Sequence, residues 1–262
     1  MRNRGLLEDD EIRRVRNVRI GVGGLGGCGG NHLVALTRMG FEHFSIADPD
    51  IFEAANLNRQ AGATMSTLGQ RKVDVMQRMV LDINPRAKVV VYPEGLTSEN
   101  VGDFAAETDI GINAIDFFRI DLYAPYHDAY RRQGKRSVVG ASPFAFGAAV
   151  TVLGPETPAF GDAFEISADD PLERQLARFC ERMTPAGFAR RYLRPGVNEI
   201  RAPLPETCIS SSAATLHLCT ALTAAEVLFM VTERRAPTLA PRVLQVDLCE
   251  QALAGGNSVG RP

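Results

Sequence analysis

Short apolar runs and amphipathic stretches alternate along the first part of the chain. Val18 to Val22 is an apolar run entering a glycine cluster, and Asn31 to Met39 behind it predicts a helix that Gly40 stops. Phe44 to Ala47 reads as a second strand. Thr67 to Asn84 carries Val73, Met76, Met79, Val80 and Ile83 on one side, the pattern of a long amphipathic helix, with Pro85 beyond it. Val89 to Tyr92, Asp109 to Ile115 and Ser137 to Ala141 read as further strands, with a helix from Ile120 to Gln133 between the last two. Strands that alternate with helices imply a parallel sheet joined by right-handed crossovers.

The pattern changes near Pro143. Ala148 to Leu153 predicts one more strand, antiparallel to its neighbour. Gly154 to Pro205 is rich in Pro, Gly and charge, with helical pieces at Pro171 to Met183 and Ala186 to Leu193. A long helix returns at Ile209 to Glu233, and Arg242 to Leu248 reads as a final strand. The expected fold is α/β: a Rossmann-like, doubly wound, mostly parallel sheet with helices on both faces and a C-terminal antiparallel extension. Residues 1–262 read as a single domain, with a nucleotide-binding core at 1–153, a lid or acceptor-docking excursion at 154–208, and the returning helix and strand at 209–262.

Composition narrows the picture. The chain has 262 residues, with 29 Lys plus Arg against 31 Asp plus Glu. That near-neutral balance gives no reason to expect a nucleic-acid or membrane-surface partner. Arg190-Arg191 and Arg234-Arg235 read as solvated helix faces. Five scattered cysteines (Cys28, Cys180, Cys208, Cys219, Cys249) contain no Cys-x-x-Cys pair. Thiols in a reducing cytoplasm fit this better than a disulfide framework or a structural zinc site. His32, His43, His127 and His217 show no ligand spacing and read as structural; Cys28 reads as a small packing residue, Cys180, Cys219 and Cys249 as core or helix-face thiols. The N-terminus lacks the apolar stretch of a signal peptide. The apolar segment Ile209 to Val231 holds three serines, His217 and Glu226, so a buried core helix is expected there rather than a membrane span.

The glycine cluster Gly24-Leu-Gly26-Gly27-Cys-Gly29 has the spacing of a nucleotide loop between strand and helix. Such a loop turns tightly, lets phosphate approach the backbone, and presents the N–H groups of a helix N-terminus to an anion. Asp48, at the end of the second strand, is placed to accept hydrogen bonds from ribose hydroxyls. On these features alone an NAD-dependent oxidoreductase is the leading reading, with a glycine turn that serves packing only as the alternative.

The segment after Asp48 points elsewhere. Asn56, Asn58, Arg59 and Gln60 have little use in hydride transfer, but an enzyme that breaks the α–β bond of ATP needs charge beside the leaving pyrophosphate. Arg59 can fork two phosphate oxygens, and Lys72 can serve the same region as a point charge. Asp116, at the C-terminal end of the fourth strand, is where parallel sheets place functional groups, and a carboxylate there suits magnesium.

Gly24-Leu-Gly-Gly-Cys-Gly-Gly30, Asp48-x-Asp50, Asn56-Leu-Asn-Arg-Gln60, Gly69-x-x-Lys72, Ile83-Asn-Pro85 and Asp116 together resemble the ThiF/MoeB/HesA proteins, relatives of ubiquitin-activating enzymes. The similarity runs from about Arg2 to Leu153 and resumes at Ser210 to Met230. It implies ATP-dependent adenylation of the C-terminal carboxylate of a small ubiquitin-like or sulfur-carrier protein or peptide. Carried over by position, Gly24, Gly26, Gly27 and Gly29 form the nucleotide loop and Asp48 holds the ribose, with Asp50 beside it. Asn56, Arg59 and Lys72 contact phosphates, and Asp116 organises magnesium. Arg4 resembles an arginine inserted into the partner subunit's site, which would make a homodimer obligatory; a frayed basic terminus is the other reading of Arg2 and Arg4.

Three departures qualify the resemblance. The family's usual Ser before the first Asn is Ala55. Its Asn-Phe-x-x-Arg after the magnesium aspartate is Phe117-Phe-Arg-Ile-Asp121, so either Arg119 replaces the missing arginine or nothing does. The paired zinc cysteines of sulfur-transfer members are missing, so a zinc-free member is expected. Cys208, ahead of the last long helix, is a candidate thioester nucleophile, since a helix N-terminus lowers a thiol's pKa; no His or basic residue adjoins it. A catalytically weakened relative that only docks a peptide tail is the alternative to an enzyme.

Overall fold

The computed structural model describes residues 5–141, 146–184, 212–248 and 252–256. Eight strands form one sheet in the order β3-β2-β1-β4-β5-β6-β7-β8. They are β1 (Arg19–Gly23), β2 (His43–Ala47), β3 (Lys88–Tyr92), β4 (Ile110–Asn113), β5 (Arg136–Ala141), β6 (Gly147–Leu153), β7 (Val243–Asp247) and β8 (Ala252–Gly256). The first five pair in parallel and the last three antiparallel, so the fold is the expected Rossmann-like sheet with an antiparallel extension. The chain reverses direction across the sheet after β3, between β1 and β4. Parallel α/β sheets hold ligands at such a switch point, outside the C-terminal strand ends.

Helices cover both faces because the central strands are apolar on both sides. Ile20, Val22, Ile46, Ile112, Val138 and Val150 are buried in one core with α2 (Gly27–Met39), α3 (Lys72–Ile83) and the long C-terminal helix. On the other face, α4 (Val101–Glu107) and α5 (Tyr123–Arg132) pack Phe104, Tyr126 and Tyr130 against the sheet. The N-terminal helix α1 (Asp9–Asn17) carries acids in its first turn and arginines in its last, as the helix dipole favours. Its Glu11 accepts two hydrogen bonds from Arg234 at 2.6 Å.

Several elements start elsewhere than the apolar pattern predicts. α3 begins at Lys72, not Thr67, because 67–71 is held by backbone pairing to 50–52: Gly69 donates to Phe52, Phe52 to Gln70, and Lys72 to Asp50, each at 2.9 Å. Gly69 itself has φ +81°. α2 begins at Gly27, one turn ahead of Asn31. A 3-10 turn at Phe117–Leu122, kinked at Arg119, precedes α5, whose Pro125 falls in the first turn, where no backbone donor is needed.

After β6 the chain forms α6 (Phe160–Phe164) and α7 (Leu172–Met183). Leu176, Phe179 and Met183 of α7 bury against Phe160, Phe164, Tyr123 and β5–β7. The predicted helical piece at 186–193 lies outside the described residues. α8 (Ala213–Thr232) is the one described helix long and apolar enough to cross a membrane. It packs instead on α2, β5 and β6, and buries Thr215, Thr220, Thr223 and Glu226. The fully buried Glu226 is met by Arg235 at 2.8 Å and by the Thr238 hydroxyl at 2.9 Å.

Candidate functional site

The glycine loop leaves the C-terminal end of β1 at the switch point. Gly24 has φ +88°, and a Cβ there would run into the Ala114 carbonyl beyond β4. Gly29 is required for a different reason, since its Cβ would overlap the Gly24 carbonyl oxygen. At Gly27 a Cβ would meet Leu216 of α8 at 2.6 Å and the Arg59 side chain at 3.7 Å. Gly26 is the exception. Its nearest neighbour among the described residues would be Gln60 Nε2 at 3.8 Å, so no contact among them demands a glycine there. Gly26 also caps α2 without any side-chain acceptor for the first-turn N–H groups. Open space over uncapped donors is the form an anion cradle takes.

Asp48 and Lys72 form the floor beside the loop. The buried Asp48 carboxylate accepts from Leu25 N at 2.6 Å and from Asp50 N at 2.9 Å, which ties the loop to the end of β2. Burial pushes its carboxyl above the usual aspartate range, against the pull of Lys72 and of the two backbone donors. Lys72, the first residue of α3, is almost wholly buried; its Nζ lies 2.9 Å from Asp50 and 4.0 Å from Asp48. Asp50 is more than half exposed. Lys72 is thus charge-compensated by two acids, with the exposed Asp50 as the nearer partner.

Arg59 and Asn56 come from a short 3-10 turn at Ala54–Asn56 and the residues after it. Asn56 Oδ1 caps its own turn by accepting from Glu53 N at 3.0 Å. Arg59 Nη1 donates to the Ala55 carbonyl at 2.8 Å and to Asn58 Oδ1 at 2.9 Å, leaving Nε and Nη2 uncommitted among the described residues. Asn31, which the sequence reading passed over, fixes this segment to the loop. Its Nδ2 donates both to Gly27 O at 2.5 Å and to Arg59 O at 3.0 Å. The signal was a buried polar side chain inside a glycine-rich helix start. Arg59 therefore stands over the helix that carries the cradle.

Asp116 follows β4 and is exposed. One carboxylate oxygen caps the 3-10 turn through Phe118 N at 2.8 Å; the donor set present, a carboxylate with an uncommitted oxygen beside the switch point, suits a hard cation such as magnesium. Arg119 does not turn to the loop: it forks Asp121, with both hydrogen bonds at 3.1 Å. The exit of β4 is held from below. Asn113 Oδ1 accepts from Ile115 N, which makes its Nδ2 the donor to His127 Nε2 at 3.1 Å, so His127 Nδ1 carries the proton toward Ser137 at 2.7 Å. Burial lowers the His127 pKa to about 3, consistent with a neutral ring. Phe117 packs on Phe179 of α7 at 6.0 Å between ring centroids, which links the Asp116 turn to the 154–184 excursion.

Arg4 and Cys208 lie outside the described residues. Cys28, His32 and Cys219, distant in sequence, are neighbours in space: their ligand atoms all lie within 4.8 Å of one another. The Cys28 hydrogen bond and burial push the Cys219 thiol upward.

Over 103 residues the chain is 34% identical to a tRNA threonylcarbamoyladenosine dehydratase of Bacillus subtilis, covering 39% of this chain and 41% of that one. Over 132 residues it is 33% identical to a sulfur carrier protein adenylyltransferase of Thermus thermophilus, covering 50% of this chain and 47% of that one. The chain thus matches less than half the length of these relatives. Among solved structures, Escherichia coli MccB with ATP superposes with a TM-score of 0.68 at 18% identity, over 96% of this chain and 66% of the other. MccB with an MccA peptide variant gives 0.70 at 16% identity, over 96% and 67%. These likenesses establish the fold. The profile of the ThiF family matches residues 1–256, and the chain belongs to that family.

Proposed function

We propose that the chain is an ATP-dependent adenylyltransferase that activates a carboxylate as an acyl-adenylate. The observation that carries this reading is the open space over the uncapped α2 N-terminus at Gly26, with Gln60 at its edge, the Arg59 side chain beside neighbouring Gly27, and Asp48 tied to Leu25 of the loop. ATP enters with its phosphates on the α2 N-terminus and its ribose at Asp48. A carboxylate oxygen of the acceptor attacks the α-phosphorus, the bond to the bridging oxygen breaks, and pyrophosphate leaves with the electron pair. Arg59, through Nε and Nη2, stabilises the charge that grows on that leaving group, while Asn56 and Lys72 orient the phosphates. Asp116 is the residue that would hold magnesium, which when bound neutralises phosphate charge.

The acceptor we infer is the C-terminal carboxylate of a small ubiquitin-like or sulfur-carrier protein or peptide. The adenylyltransferase relative, named for a sulfur carrier protein, and the MccB structures with MccA support that class. The 154–208 excursion, joined to the Asp116 turn through Phe117 and Phe179, is the proposed wall of the acceptor groove. A homodimer with Arg4 acting in trans, and a thioester on Cys208, belong to the same proposal. A second reading rests on the Bacillus relative, whose name makes threonylcarbamoyladenosine of tRNA its substrate; the threonyl carboxylate of that nucleoside would then be the acceptor.

ATP–pyrophosphate exchange tests the proposal. Exchange supported by a carrier protein or peptide with a free C-terminus is the expected result. Exchange supported only by threonylcarbamoyladenosine in tRNA would favour the second reading. No exchange with any carboxylate, alongside intact ATP binding, would leave a docking module.

A further inference from the structure

We propose that Cys28, His32 and Cys219 form a binding site for one thiophilic divalent cation, zinc by preference, which staples the glycine-loop helix α2 to α8. Nothing in the adenylation chemistry above uses these three side chains, so the inference goes beyond that reading.

The placement follows from two helices. Cys28 and His32 stand four residues apart on the first turns of α2, hence on one face. Cys219 comes from α8, one turn beyond the Leu216 that seats against Gly27. The three ligand atoms lie within 4.8 Å of one another. A tetrahedral zinc with bonds of about 2.0–2.3 Å needs ligand separations of roughly 3.5–3.8 Å, so contraction on the order of 1 Å closes the site.

A second observation points to a ligand. His32 is fully buried and its Nε2 has no hydrogen-bond partner among the described residues, while Nδ1 lies 3.1 Å from the Thr220 hydroxyl. An unpartnered buried nitrogen is costly in a folded core, and a metal would satisfy it. Ligand histidines are commonly oriented by an oxygen acceptor on the other ring nitrogen, and here the Thr220 hydroxyl takes that place.

Charge selects the cation. On binding, the two thiols form two metal–sulfur bonds and release two protons to solvent. Two thiolates and a neutral imidazole cancel a divalent ion, whereas monovalent copper would leave a net negative charge next to fully buried His32 and Cys219. Cys28 is the partly exposed member of the three. The bound metal would hold the N-terminus of α2, and with it the cradle, against α8.

Cobalt titration of the full chain after reduction and chelator dialysis tests the site, with zinc as competitor. The expected result is one cobalt per chain with thiolate-to-cobalt charge-transfer absorption, displaced by zinc, and a higher melting temperature with metal. Cys28→Ser and Cys219→Ser should abolish the absorption and His32→Gln should weaken binding by roughly tenfold or more. Cys180→Ser and Cys208→Ser should leave the absorption and the metal affinity unchanged. Because Cys28 is half-exposed, Cys28→Ser with wild-type circular dichroism keeps the test decisive if Cys219→Ser fails to fold. Absence of the absorption, its persistence in folded Cys28→Ser, or its loss in Cys180→Ser would overturn the site. A Cys28–Cys219 disulfide in the purified protein, with no metal uptake after reduction, would also overturn it. None of these readouts depends on adenylation.

Discussion

Gly26→Ala separates a glycine needed by the fold from one needed by a ligand. Among the described residues the new methyl meets only Gln60 Nε2, at 3.8 Å, and φ at this position is −69°, outside the left-handed region that favours glycine. Replacing glycine by alanine at a helix N-cap costs about 1 kcal/mol, or a melting shift of roughly 2–4 °C in a chain of this size. Nucleotide affinity should fall much further. The methyl occupies the space above the uncapped first-turn donors, so a phosphate there loses one or two charge-assisted hydrogen bonds. At about 1.5–3 kcal/mol each, that amounts to roughly a hundredfold in Kd. Gly29→Ala is the contrast, because its methyl overlaps the Gly24 carbonyl and should disrupt the loop and the fold together. Calorimetric ATP titration beside thermal melts reads both effects. A folded Gly26→Ala protein that binds ATP within about threefold of wild type would refute phosphate binding on this loop.

Arg59→Ala and Asp116→Ala should each slow ATP–pyrophosphate exchange roughly a hundredfold, with Asp116→Ala also raising the magnesium needed for half-maximal rate; unchanged exchange in either would remove its assigned role. His127 keeps a pKa of about 3 in the fold against about 6.5 when unfolded, so its contribution is complete above pH 6.5 and is lost as pH falls toward 3. Wild type should lose about 2 kcal/mol between pH 7.5 and 5 from this group, and His127→Gln, less stable at pH 7.5, should show a shallower fall in urea unfolding; parallel pH profiles would contradict the buried neutral ring. Arg235→Ala strands the fully buried Glu226 carboxylate and should cost about 3 kcal/mol by denaturant unfolding; a loss under about 1 kcal/mol would show that Thr238 alone satisfies it.

The parallel half of the fold and most of the loop site were legible in order and spacing. Strand, glycines, Asp48, Arg59 and Lys72 are close in sequence, and a parallel sheet gathers its C-terminal strand ends at one edge. Helix starts were less legible, since pairing of 67–71 with 50–52 is a long-range competitor that the apolar pattern of α3 cannot reveal. Helix α1, with its few apolar positions, and α4, only seven residues long, gave little periodic signal. Strand β8 follows β7 after a short link and was missed. Cysteine spacing could not show this cluster: Cys28 and His32 meet Cys219 only because α8 crosses α2, and the His32–Thr220 contact spans 188 positions. Asn31 looked like a helix residue, and only the fold shows it joining Gly27 to Arg59.

The preference for ATP over NAD is most directly measured by calorimetric titration of the full chain with magnesium–ATP and, separately, with NAD. One ATP should bind per chain, Arg59→Ala should weaken it by roughly tenfold or more, and NAD should give no saturable heat. Tighter binding of NAD than of ATP, or ATP affinity untouched by Arg59→Ala, would contradict the assignment of this loop to adenylation.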